Sequence, residues 1–146
     1  MDKTLPDSFI LNVQKELQIN APASIVFDAI LEESAGGLRS GDGKPLDLRL
    51  EPWPGGRWFR DLGNNTGHLW GHVQVIKPPT VLEITGPMFM SYPVAGHIQY
   101  RLTEKSGVTT LSFAHRAFGE ISPEHRQGVN QGWEKILAQI KDRATR

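Results

Sequence analysis

The sequence predicts an α+β domain in which a seven-stranded antiparallel sheet packs against one long C-terminal helix. Seven short segments alternate apolar and polar residues and are punctuated by Gly- and Pro-bearing turns. After Ser122-Pro123 the period changes to the apolar stripe of a helix. The length sets the scale: 146 residues make a single domain, 1–146. Folding a chain of this size buries roughly 68–70% of its unfolded surface, enough for a core and a pocket.

Composition excludes several functions. The 16 basic and 16 acidic side chains are interspersed and cancel, so no sustained positive field exists for nucleic acid or anionic lipid. With no Cys there is no thiolate nucleophile, Cys-ligated zinc, iron–sulfur cluster or disulfide framework. Met1–Asp7 lacks a basic then apolar leader, and no stretch approaches the roughly 18 apolar residues of a membrane span. A cytoplasmic protein with no membrane association is expected. Asn64-Asn65-Thr66 fits a glycosylation acceptor, but without a secretion signal it reads as a polar turn.

Along the chain, residues 9–19 place Leu11, Val13, Leu17 and Ile19 on one strand face, with Lys15 interrupting. Asn20-Ala21-Pro22 starts a short helix whose stripe is Val26, Phe27, Ile30 and Leu31, reaching about Glu33. Ser34 to Pro45 is rich in chain breakers and reads as loop or distorted helix. Leu46, Leu48 and Leu50 then alternate, and Pro54-Gly55-Gly56 turns the chain into a strand at Arg57–Asp61. Residues 68–76 read as a strand with Leu69, Gly71, Val73 and Val75 on one face and His68, Trp70, His72 and Gln74 on the other. Strands at 81–85, 94–103 and 108–116 follow, the last two carrying Ile98, Tyr100, Leu102 and Leu111, Phe113, His115. Ser122 caps a final helix with Pro123 in its first turn and Val129, Trp133, Ile136, Leu137 and Ile140 as its stripe. Running to about Arg143, it is roughly 30 Å long.

Few motifs survive inspection. Gly36–Lys44 fails as a phosphate loop, because Leu38 stands where the first glycine belongs and Pro45 follows Lys44. His68 and His72 have the i, i+4 spacing of a helical zinc pair, but on a strand they lie roughly 13 Å apart and cannot share an ion. They are expected to point outward, and His97 and His125, with no acidic companion at useful spacing, to lie at the surface. His115 differs, because it extends the inward face of Leu111 and Phe113 and so enters the apolar interior. There it can bond a ligand, act as acid or base, or simply be a core histidine bonded to a backbone carbonyl. Met88-Phe89-Met90-Ser91-Tyr92-Pro93 puts four large apolar groups in one turn. Such a loop covers a cavity mouth, packs on a second subunit in a homodimer, or folds back on its own core.

The order of one strand, one or two short helices, six antiparallel strands and a long helix resembles the helix-grip fold of the START-like (SRPBCC, Bet v 1-like) superfamily over nearly the whole chain. Local marks are similar to the branch named for the activator of the heat-shock-protein ATPase. They are Ala21-Pro22 with Val26-Phe27, Pro54-Gly55-Gly56, Gly71-x-Val73 with Pro78-Pro79, Thr109-x-Leu111-x-Phe113-x-His115 with Phe118, and Gly132-Trp133 with Leu137. The chain departs from that branch at Phe27, where Trp is frequent, and at the glycine-rich 34–45 stretch, where a tryptophan-rich second helix is common. The resemblance implies a curved sheet gripping the long helix around a cavity for apolar molecules, and no shared catalytic set.

The expectation is therefore a non-enzymatic protein holding a small apolar or amphipathic ligand between the C-terminal helix and the sheet. Trp58, Tyr100, Phe113, His115, Trp133, Phe89 and Tyr92 are the expected ligand contacts, Tyr and Trp supplying a polar handle. No cofactor, metal or catalytic residue is assigned. The rivals are a cyclase- or hydratase-type enzyme using His115, and a chaperone-binding module working through surface charge.

Overall fold

The computed structural model describes residues 9–40 and 42–146; Met1–Asp7, on which the expectation of no secretion signal rests, lies outside them. Strand β1 (Ile10–Ile19) is followed by helix α1 (Ala23–Glu32), which continues into a single π-helical turn, Glu33–Gly37. Six strands come next: β2 (Leu48–Leu50), β3 (Arg57–Gly63), β4 (Thr66–Lys77), β5 (Val81–Thr85), β6 (Val94–Lys105) and β7 (Val108–Gly119). Helix α2 (Pro123–Ala144) ends the chain. The strands form one antiparallel sheet in the order β1-β7-β6-β5-β4-β3-β2. Hairpin neighbours thus remain neighbours from β2 to β7, and β1 returns to pair with β7.

Two hairpins show why the turns fall where they do. Asn64 and Asn65 both adopt positive φ, 52° and 59°, between Gly63 and Thr66, and Ser106 and Gly107 do the same between Lys105 and Val108. That double left-handed geometry matches the twist of the strands it joins, and Asn and Gly adopt it at low cost.

Helix α1 has no side-chain cap at Pro22; instead the Ala23 amide donates to Glu104 Oε1 of β6 at 2.7 Å. Ser122 caps α2 by accepting the His125 amide at 3.2 Å. The helix buries Val129, Trp133, Leu137 and Ile140 against the inner face of the sheet, beside Val26, Phe27 and Ile30 of α1. Burial of each such aliphatic side chain contributes about 1.5–3 kcal/mol. Ion pairs pin the helix at two levels, Lys15 to Glu134 at 2.8 Å and Arg143 to Glu33 at 2.7 Å.

Strand β4 corrects the sequence reading. Trp58 pairs with Gly71 but Phe59 with Leu69, leaving Trp70 as an extra residue; Val73 pairs with Ile84 but Val75 with Glu83, leaving Gln74 extra. Each bulge reverses the alternation that a regular strand would keep. The inward series is His68, Trp70, Val73 and Ile76, while Leu69 is 44% exposed. Trp70, expected on the face opposite Val73, therefore joins the interior, and His68, expected to point outward, is half-buried beside it. His72 is exposed.

Among the described residues no helix is long and apolar enough to cross a membrane, and no group of His, Asp and Glu is arranged to hold a metal ion.

Candidate functional site

The inner faces of β3 and β4 begin the site. Trp58 and Trp70 meet edge to face, ring centroids 5.0 Å apart, and Trp58 Nε1 donates to the Ser34 carbonyl at 2.8 Å. One pleat nearer the hairpin tip, Arg60 and His68 are register partners. An apolar pair and a basic pair thus sit side by side on one concave stripe.

Three further walls complete a groove of about 530 Å³. Leu38, Arg39, Ser40 and Leu46 supply the strap between the π turn and β2, and Met88 and Phe89 close the opposite side. Helix α2 forms the roof with Glu124 and His125 at its start, Trp133 in the middle, and Lys135, Ile136 and Gln139 toward its end. Gly128 and Gly132 also face the groove, and a Cβ added at either would meet nothing within 4 Å. The roof thus lacks a side chain at two positions one turn apart.

The Met88–Pro93 loop divides its residues between two tasks. Met88 and Met90 are buried in the core, so that part folds back on the chain itself. Phe89 stays 37% exposed at the groove's edge and contacts both Trp70 and His125, at centroid distances of 6.1 and 5.8 Å. Tyr92 stacks on His125 and its hydroxyl bonds to His125 Nδ1 at 2.7 Å. Contrary to the surface assignment, His125 is half-buried and oriented toward the groove by Tyr92. His97 is corrected as well, because Glu83, one strand away, meets its Nε2 at 2.8 Å.

Of the residues expected to contact a ligand, Trp58, Phe89 and Trp133 line the groove together, and Tyr92 stands behind His125. Tyr100 and Phe113 form a stack beneath α2, with Tyr100 to Phe113 at 5.1 Å and Phe113 to Trp133 at 4.4 Å. Both are buried and neither borders the groove; burial pushes the Tyr100 hydroxyl well above its usual pKa.

His115 is fully buried behind Trp133, and Trp133 Nε1 donates to its Nδ1 at 2.9 Å. That bond requires Nδ1 to be the unprotonated nitrogen, so the ring proton sits on Nε2, which has no partner among the described residues. Burial, reinforced by nearby His97, pushes the imidazole pKa down to about 4. His115 is therefore a neutral acceptor that sets the tilt of Trp133, one of the groove's walls.

The residues that sequence reasoning left out are Arg60, His68, Trp70, Gly128 and Gly132. The helix glycines did carry a signal: they lie one turn apart, each immediately before a residue of the apolar stripe, Val129 and Trp133.

The model of one protein family, described as "activator of Hsp90 ATPase homolog 1-like protein", matches residues 20–145. The chain belongs to this family. The match begins as β1 ends and runs through α2, so in this Hsp90-activator-like chain every wall of the groove lies inside the family region. No curated protein matches the chain in sequence. Among solved structures it is similar to protein CV1439 from Chromobacterium violaceum, with a TM-score of 0.68 and 17% identity over 90% of this chain and 94% of that one. A protein from Rhizobium leguminosarum gives 0.66 and 19% over 93% and 95%. CalU16 from Micromonospora echinospora gives 0.64 and 19% over 91% and 75%. At these identities the likeness is one of fold, the helix grip that the sequence resembles.

Proposed function

We propose that the chain binds a small apolar or amphipathic molecule in the groove between α2 and the β3–β4 end of the sheet. The observation that carries this reading is the pair of glycines in the roof. Glycine inside a helix costs about 1 kcal/mol relative to alanine, and nothing around Gly128 or Gly132 is crowded enough to require it. Their effect is to keep open a space of about 530 Å³, within the range of small-molecule sites. Trp58, Trp70, Trp133 and Phe89 would then be the apolar contacts, and His68 and His125 polar ones.

A titration with Nile red, a neutral apolar dye, tests the reading. Saturable one-to-one binding is expected, quenching the fluorescence of the groove tryptophans, and Gly132→Phe should abolish it while the far-UV circular dichroism stays native. Absence of saturable binding, or binding that Gly132→Phe leaves intact, refutes the reading. Native mass spectrometry of freshly purified protein adds an independent check, since a retained ligand shows as added mass.

A further inference from the structure

We propose that the groove's occupant is an organic carboxylate whose apolar body lies on the tryptophans and whose acid group is held by Arg60, with Arg39 and Lys135 beside it. The proposal rests on the groove-binding reading above and adds the chemical class of the ligand.

The first observation is uncompensated charge. Arg39, Arg60 and Lys135 line the groove, and Glu124 is the one carboxylate that does so among the described residues. Glu124 is too far away to pair with Lys135, 11 residues of helix and about 16 Å along the axis. None of the three cations is in an ion pair among the described residues, whereas Arg49, Arg57 and Arg143 elsewhere in the chain each have a carboxylate at 3.3 Å or less. An unpaired cation on an open surface is unremarkable. Arg60 is half-buried, however, and its Nε is committed to the Leu46 carbonyl at 2.8 Å, which fixes the guanidinium and leaves its terminal nitrogens to face other acceptors. Arg39 starts from the same strap, bridged by its backbone to Pro45 and by its Nη1 to the Gly43 carbonyl at 3.2 Å.

The second observation is an orphan donor. Trp70 lines the groove on the strand carrying His68, and its indole Nε1–H is buried without an acceptor among the described residues. A buried donor left unpaired is costly. The Trp70 nitrogen is closed to the groove's open space, so an occupant reaches it only if the wall opens, whereas the terminal nitrogens of Arg60 are the donors that an oxygen-bearing occupant would meet. A planar carboxylate matches a guanidinium fork in two parallel bonds. The adjacent Trp58–Trp70 pair supplies the surface on which an aromatic or aliphatic body would lie.

Calorimetry with three probes sharing one naphthalene body tests this: 1-naphthaleneacetate, the neutral 1-naphthaleneacetamide and the cationic 1-naphthylmethylamine. The acetate is expected to bind about tenfold tighter than the amide, as a charge-assisted bond on a fixed guanidinium should give. Arg60→Gln should bring the acetate to the level of the amide and weaken the amide far less than the acetate. Lys135→Gln, on an exposed side chain, should weaken the acetate about threefold, as loss of a solvent-screened charge does; it decides the matter if Arg60→Gln fails to fold. Equal affinity for acetate and amide, preference for the amine, or an acetate preference that survives both substitutions overturns the carboxylate assignment while leaving groove binding in place. If none of the three probes binds while Nile red does, the carboxylate assignment falls alone; if Nile red fails as well, both fall.

Discussion

Replacing Gly132 with alanine should make the protein more stable, an uncommon outcome for a change in the wall of a groove. Gly132 lies well inside a 22-residue helix, and a Cβ there meets no atom within 4 Å, so the methyl group adds no strain. What remains is backbone entropy and helix propensity, worth about 1 kcal/mol. Gly128→Ala has the same open surroundings and should add a similar amount. For a domain of this size each kcal/mol raises the melting temperature by roughly 3–4 °C, so the double variant should melt about 6–8 °C higher. Thermal unfolding followed at 222 nm and neutral pH measures it. A fall in melting temperature for either single variant would mean that the roof is packed, and would remove the physical basis for an open groove.

Three further outcomes follow from particular contacts. The His115 pKa is about 4 when folded, against about 6.5 when unfolded. Between these values only the unfolded chain takes up the proton, so stability is complete above pH 6.5 and falls on acidification toward pH 4, by about 3 kcal/mol. Urea titrations at pH 7.5, 5.5 and 4.5 should show that loss, and His115→Asn, which keeps an acceptor near Trp133, should remove most of it. Trp58→Phe leaves the buried Ser34 carbonyl without its indole donor and should cost about 1–2 kcal/mol by urea denaturation. In Gly37→Ala the new methyl runs into the Glu33 carboxylate, which Arg143 holds at 2.7 Å. It should cost about 2 kcal/mol in the parent protein and much less once Arg143→Ala has already released that carboxylate.

The parts legible in the sequence were those set by local chemistry. Ser122-Pro123 and the stripe Val129, Trp133, Leu137, Ile140 suffice to place α2, and Asn64-Asn65 to place a turn, because caps and left-handed turns are specified within a few residues. The faces of β6 and β7 follow from uninterrupted alternation. What escaped depends on pairing between distant segments. No periodicity reveals that Trp70 and Gln74 are extra residues, since a bulge is defined by the partner strand. His97 finds Glu83, His125 finds Tyr92 and Trp133 finds His115 only after the sheet and α2 have assembled. The site was half visible for the same reason: bulky aromatics such as Trp58 and Trp133 stand out as candidates, whereas a groove depends on where side chains are missing.

The bulges of β4 have a consequence for how this strand can change over time. Inward residues fall at 68, 70, 73 and 76, in steps of two, three and three. The two insertions together equal one whole pleat, so the Asn64-Asn65 turn and the Pro78-Pro79 turn keep the phase of an unbulged strand. Losing either extra residue alone would turn one end of β4 inside out, exposing His68 or burying Lys77. Losing both would restore the phase at each end. The pair should therefore be gained or lost together among relatives, as a single hereditary unit split between two sites.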